Sequence, residues 1–357
     1  MNAVILYALA FGALLGGLDH MTGNRFGLGQ EFERAFHLLG PIGLSMAGIL
    51  CLSPLLSALL GTLVVPLFSR LGFDPGMFGS ILAIDMGGYQ MAMDLAADPE
   101  IGRFSGIIVS AIFGCTIVFT IPVGLGAMEE EDRPFFTRGI LLGLVSMPWG
   151  IFVGGLVFGL SAGKILWNSL PILLISAVLF RGLVKKPQVM TKLFQTFARG
   201  IQALASLGLT VGAIQYITGR VLLKDLIPLE EAMEVVCAIA IMMLGSMPLA
   251  ELIRRLLKKP FARIGARTGL NSVSTTGLLI GMVSVVPALA MIPRMDRRGK
   301  VINGAFVVCG ASTFAAHLGF ALSTEPDMAP ALLAAKLFGG LLAVIVAFAA
   351  TKEENPT

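Results

Sequence analysis

Charge is scarce in this chain. Only 13% of its 357 residues are Asp, Glu, Lys or Arg, about half the share of an ordinary soluble domain. Apolar residues make up 56% and the mean hydropathy is +0.86. That is more apolar surface than one soluble core can absorb, so the surrounding medium is a lipid bilayer. Histidine is rare as well, with three residues and no HExxH pair. The chain has no GxSxG, phosphate-loop or dinucleotide motif, and no cofactor is implied. Four cysteines (Cys51, Cys115, Cys237, Cys309) stand inside apolar runs at no metal-binding spacing and read as small hydrophobes. A net charge of +4 is too modest to point to nucleic acid.

What the chain does have is glycine, 43 residues of it, as expected where transmembrane helices approach closely. The pattern predicts an all-α polytopic membrane protein. Candidate spans fall at about 3–20, 36–60, 102–127, 137–160, 164–183, 193–217, 232–256, 301–322 and 329–350. Residues 3–18 lack a basic leader and a small-x-small site, so they read as a retained first helix. Two further apolar segments, 76–97 and 270–292, are interrupted by glycine or polar residues and read as broken-helix hairpins.

The chain also repeats itself at an offset near 195 residues. Gly12, Gly16, Thr22 and Gly23 match Gly208, Gly212, Thr218 and Gly219; Pro54 and Pro66 match Pro248 and Pro260; Gly72, Gly76 and Gly88 match Gly265, Gly269 and Gly281. Collinearity carries this reading. It gives one membrane repeat over 1–160, a linking helix and loop over 161–189, a second repeat over 190–352 and a short tail over 353–357. Basic residues cluster at 181–192, 254–267 and 294–300 and should be cytoplasmic. The last two flank segment 270–292, making it re-entrant. The matching loops of the first repeat carry little beyond Arg70 and Arg103 and should face outward. The expectation is inverted topology: about nine spans plus two oppositely oriented hairpins, or 9–11 membrane segments, with the N-terminus outside and the C-terminus cytoplasmic.

Inverted repeats with broken helices meeting near the midplane are the recurring design of secondary transporters. Within ILAIDMGGYQMAMDLA (81–96), Asp85 stands beside Gly87 and Gly88. A carboxylate at the bilayer centre costs about 2.5–3.5 kcal/mol and is retained when it pairs with a cation or titrates. Asp85 therefore reads as the partner of a cationic substrate, a proton or a sodium ion; the bland alternative is that it satisfies donors of a broken helix. Tyr89 offers a ring face and a hydroxyl, Gln90 an amide, and Asn271, Ser274, Thr275 and Thr276 neutral hydrogen-bonding groups from the other repeat. Each Ser or Thr is equally accounted for by a bond to its own helix. Asn303 and His317 are further candidates, and Gly87, Gly88 and Gly277 supply the broken backbone. Glu251, followed by Arg254 and Arg255, reads as a helix-surface ion pair.

The stretches FDPGMFGSILAIDMGGYQMAMDLA (73–96) and GCTIVFTIPVGLGAMEEEDRPFFTRGILLGLVSMPWGIFVGGL (114–156) resemble the EutH family of bacterial ethanolamine-utilisation transport proteins. P-x-M-F, D-M-G-G at 85–88 and T-I-V-F-T-I-P-V at 116–123 carry the resemblance most specifically. It implies uptake of ethanolamine across the cytoplasmic membrane, feeding its catabolism inside. It brings no list of binding residues. Coupling to a proton or sodium ion, and homo-oligomerisation, stay open. So do a carrier or channel for another small amine and, as a different class, an intramembrane enzyme.

Overall fold

The computed structural model describes residues 2–81 and 88–351. The described residues form helices and connecting turns, with no strand among them. In chain order the first half runs α1 (Asn2–Met21), α2 (Leu28–His37), α3 (Leu39–Arg70), a 3-10 turn Pro75–Ile81 and α4 (Tyr89–Leu95). One continuous rod follows: α5 (Pro99–Arg103), π-helical turns over Phe104–Gly114 and Thr116–Thr120, and α6 (Ile121–Ala127). Then come α7 (Arg133–Phe158) and α8 (Ala162–Lys185). The second half runs α9 (Pro187–Thr218), α10 (Leu229–Thr268), α11 (Ser272–Gly281), α12 (Val285–Met291), α13 (Arg297–Gly310), α14 (Ala316–Thr324) and α15 (Ala329–Ala350).

Eight helices among the described residues are long and apolar enough to cross a membrane. The expected span 301–322 is not continuous: α13 stops at Gly310 and α14 starts at Ala316. The break is local chemistry. Ser312 adopts φ +54°, and Ala311 is extended. The amides freed there are not wasted, because Ser312 and Phe314 donate N–H bonds to the Gly281 and Met282 carbonyls at the turn between α11 and α12. Non-helical backbone at membrane depth is tolerated where protein satisfies it in this way.

Two bundles can be distinguished by packing. In one, α1, α2 and α3 pack with α9 and α10; in the other, α7, α13 and α15 pack together against the π-helical rod. The first bundle is cross-laced. A Cβ on Gly12 of α1 would collide with the Gly245 carbonyl of α10, and one on Gly208 of α9 with the Gly48 carbonyl of α3. Gly208 lies 196 residues after Gly12, and Gly245 lies 197 after Gly48. Both crossings are backbone on backbone, which glycine alone permits.

Each interrupted segment closes at its mouth on a carboxylate. Asp74 accepts from the Gly76, Ala97 and Asp98 amides, and Asp296 accepts from the Asn271 and Gly299 amides and the Ser274 hydroxyl. The two ends of each segment therefore sit side by side. The mouths lie at opposite ends of α7, a helix about 39 Å long by its 26 residues. Asp98 pairs with Lys164 just beyond the C-terminus of α7 at 2.5 Å, while Lys300, near the second mouth, pairs with Asp132 at its N-terminus. The Lys164 hydrogen bond holds the Asp98 carboxyl below the usual carboxylate range.

A labelling experiment reads this arrangement directly. In a background with the four cysteines replaced, Ala97→Cys and Arg294→Cys should react with an impermeant maleimide from opposite sides of the membrane. Reaction of both from one side would defeat the opposed hairpins.

Candidate functional site

A central cavity of about 610 Å³ lies where the two bundles meet. Its walls are the start of α3, the middle of α9 and α10, the rod at Cys115, Val118 and Phe119, the α11–α12 turn and the broken stretch 312–316. The sequence puts it there because the turn and the break lend each other hydrogen bonds and so stop short of filling the space. Its polar groups are hydroxyls and one amide: Ser45, Gln202, Ser206, Ser284 and Ser312, among apolar neighbours such as Phe119, Met243 and Met247. None of the described lining residues carries a charge.

A second cavity of about 350 Å³ is almost wholly apolar and is bordered by Gly88, Met91, Ile49 and residues 200–204 of α9. The larger cavity uses residues 202–206 of the same helix. The end of the first interrupted segment and the turn of the second thus face adjacent turns of α9. A third cavity, about 290 Å³, shares Met247, Val283 and Ser284 with the central one and leads to Glu31, Arg34, Glu251 and Arg254. The expected surface pairing of Glu251 is present, with Arg254 at 2.5 Å and Arg255 at 2.7 Å. It is not a surface feature, since the Glu251 side chain is only 10% exposed.

The family model described as "Ethanolamine utilisation protein, EutH" matches residues 1–350. The chain belongs to the EutH family. It is 39% identical over 347 residues to a probable ethanolamine permease EutH of Listeria monocytogenes, covering 97% of this chain and 93% of that one. It is 33% identical over 396 residues to the probable ethanolamine permease EutH of Escherichia coli, covering 100% and 97%. An uncharacterised protein, YxeR, of Bacillus subtilis is 40% identical over 348 residues, 97% and 94% of the two chains. No solved structure matches.

In this EutH family member, Asp85 and Gly87 lie outside the described residues. Gly88 borders the second cavity. Tyr89 donates its hydroxyl to Glu325 at 2.5 Å and packs edge-on against Phe320; Glu325 in turn meets Arg103 at 2.7 Å. Gln90 donates to Asp94, whose other oxygen accepts from Ser57. Asn271 caps α11 by accepting from the Ser274 amide, and Thr275 bonds back to the Ser272 carbonyl. Thr276 is half-buried on the same helix. Gly277 packs on Asn303, which donates to the Ser274 and Gly299 carbonyls. Asn303 Oδ1 and His317 Nδ1 are buried with no hydrogen-bond partner. The polar run 271–276 therefore sits at the mouth of its hairpin, in one network with Asp296 and Asn303. None of the described candidates lines the central cavity.

Sequence reasoning passed over the groups that do line it. Ser45, Gln202, Ser206, Ser284 and Ser312 are single polar residues in separate apolar segments, and only the fold gathers them. Lys336 was also missed, although a signal was there: a lone lysine inside the 22-residue apolar helix α15. It is 1% exposed.

Proposed function

We propose that this protein is an ethanolamine permease of the bacterial cytoplasmic membrane, taking up ethanolammonium by alternating access between two inverted-topology repeats. The observation that carries the reading is the match along residues 1–350 to the EutH family model, together with relatives named probable ethanolamine permease EutH. It is a transporter, not an enzyme. The repeats are supported by the parallel order of elements in the two halves, the reciprocal glycine crossings and the mouths at opposite ends of α7. The substrate asks for one anion, one or two neutral hydrogen-bond partners and little else. In our reading Asp85 supplies the anion, the gathered hydroxyls and Gln202 serve the substrate's hydroxyl end, and Tyr89, Gln90, Asn303 and His317 stand behind the site rather than in it. The hairpin mouths, with Asn271, Ser274, Thr275 and Thr276, hold the broken helices in register around Gly88 and Gly277.

Uptake of labelled ethanolamine into vesicles containing only this protein tests the proposal. Saturation and counter-flow are the expected results; uptake linear in concentration without counter-flow would indicate a channel, and no protein-dependent uptake would end the reading.

The chemistry of the substrate adds a growth phenotype. A primary amine titrates near lysine, so about one molecule in several hundred or fewer is neutral at pH 7, and each unit of acidification cuts that tenfold. Only the neutral form crosses lipid unaided. A deletion strain on limiting ethanolamine should grow near normally at pH 7.5 and several-fold more slowly at pH 5.5. Equal growth at both would count against cation uptake.

A further inference from the structure

Lys336 is the one lysine of the α15 span, and the reading above gives it no task. Its side chain is fully enclosed, and its Nζ donates to the Ala111 carbonyl at 3.0 Å. Ala111 belongs to the π-helical stretch Phe104–Gly114, a form of winding that recurs at functional sites. The titratable groups around it come from three elements. Cys115 from the rod and Cys309 from α13 lie within electrostatic reach, as does His317 from α14, whose ring meets the Ala311 backbone. Cys309 faces α15 one turn further on, at Gly339. From α7 the neighbours of this turn are Gly150 and Gly154, which face Ala335 and Gly339. No carboxylate among the described residues pairs with Lys336.

This ammonium stands just behind the wall of the central cavity. Cys115 lines that cavity and is one turn from Ala111, while Ala315 and Ala316 line it immediately before His317. A cation entering the cavity is therefore brought close to a second, enclosed cation. Two unit charges about 8 Å apart at an effective dielectric of about 20 shift each other's equilibria about thirtyfold. Lysine, unlike arginine, can relieve this by releasing its proton.

We infer that Lys336 is the proton-exchange group of the transport cycle: it releases its proton when the cavity takes up an ammonium substrate and regains one when the cavity empties. This rests on the permease reading. One ammonium ion then enters for each proton that leaves. The N–H bond of Lys336 breaks heterolytically, its electron pair stays on nitrogen, and the proton passes to water in the cavity. The cycle moves no net charge, and its sum is the passage of one neutral amine, so accumulation follows the proton ratio and not the membrane potential.

The test uses purified full-length protein in vesicles at pH about 6, where leak of neutral amine is small, with protein-free vesicles subtracted. For the wild type, an acid interior should raise initial ethanolamine uptake several-fold, and a negative-inside potential at equal pH should leave it unchanged. Lys336→Met should still transport, now driven by the potential and indifferent to the proton gradient. Lys336→Arg keeps the charge and a donor for Ala111 but cannot release a proton, and should lower uptake tenfold or more. A purely structural lysine predicts the reverse order, with the arginine variant active and the methionine variant impaired. Potential-driven wild-type uptake, or normal uptake by Lys336→Arg, would overturn the inference. Should Lys336→Met fail to fold, Lys336→Gln replaces it, and the wild-type response to the two gradients decides alone. If vesicles show no protein-dependent uptake at all, the permease reading itself has failed, and the role of Lys336 falls with it.

Discussion

Replacing Asp85 by Asn is expected to weaken ethanolamine binding roughly ten- to 150-fold in purified protein. The size comes from the loss of one charge-assisted hydrogen bond, worth about 1.5–3 kcal/mol. The described residues around the central cavity sharpen the case, because they offer hydroxyls, an amide and apolar faces but no anion. An ammonium ligand needs one. Asp85 is three residues from Gly88, which borders the neighbouring cavity. Folding should survive, since a neutral amide is easier to place in a membrane than a carboxylate. The check is ligand affinity by calorimetry beside a size-exclusion profile. A well-folded Asp85→Asn protein with near-normal affinity would show that the carboxylate only satisfies broken-helix donors, and attention would pass to Asp94, Asn303 and His317.

The second large effect concerns folding. Gly48→Leu should yield no monodisperse protein in detergent, and Gly48→Ala should already lower the melting temperature. A Cβ at this position runs into the Ala205 carbonyl of α9, and backbone cannot step aside as a side-chain tip can. Overpacking typically costs about 1–3 kcal/mol where neighbours can shift; here two long helices must separate. Gly208→Ala, on the facing helix, should behave alike. Gly40→Ala is the control, because its Cβ would meet nothing within 4 Å and a helical alanine is favoured over glycine by about 1 kcal/mol. If Gly48→Ala melts at the wild-type temperature, the crossing is looser than the geometry says.

Much of the fold could be read from the chain. Apolar runs of 20 or more residues announce spans, and eight of the nine expected ones are continuous helices. The ninth, 301–322, was misread as unbroken because GASTF (310–314) carries no proline and no charge; small residues that permit a break do not demand one. Site residues were far less legible. The run 271–276 drew attention by its polarity, yet polarity there serves a helix cap and a hairpin mouth. Ser45, Gln202 and Ser312 reach one cavity from three separate elements, which no local pattern encodes. Lys336 could have been seen, since a lysine amid apolar residues is as anomalous as Asp85.

Among the described residues, paired charges fasten the two bundles within themselves and not to each other. The ion pairs Arg103–Glu325, Lys164–Asp98 and Lys300–Asp132 join parts that flank the rod, α7, α13 and α15, while Glu251 with Arg254 and Arg255 stays within α10. None of these ties one bundle to the other. Across the boundary the contacts are of another kind: Ile239 and Met243 of α10 pack on Gly319 of α14, Ser57 of α3 donates to Asp94, and Arg298 of α13 donates to the Thr268 carbonyl at the end of α10. These are apolar packing and single hydrogen bonds, not paired charges. If the two bundles shift against each other in the proposed cycle, such contacts are what must be exchanged, and each charged clasp would travel whole with the half it fastens.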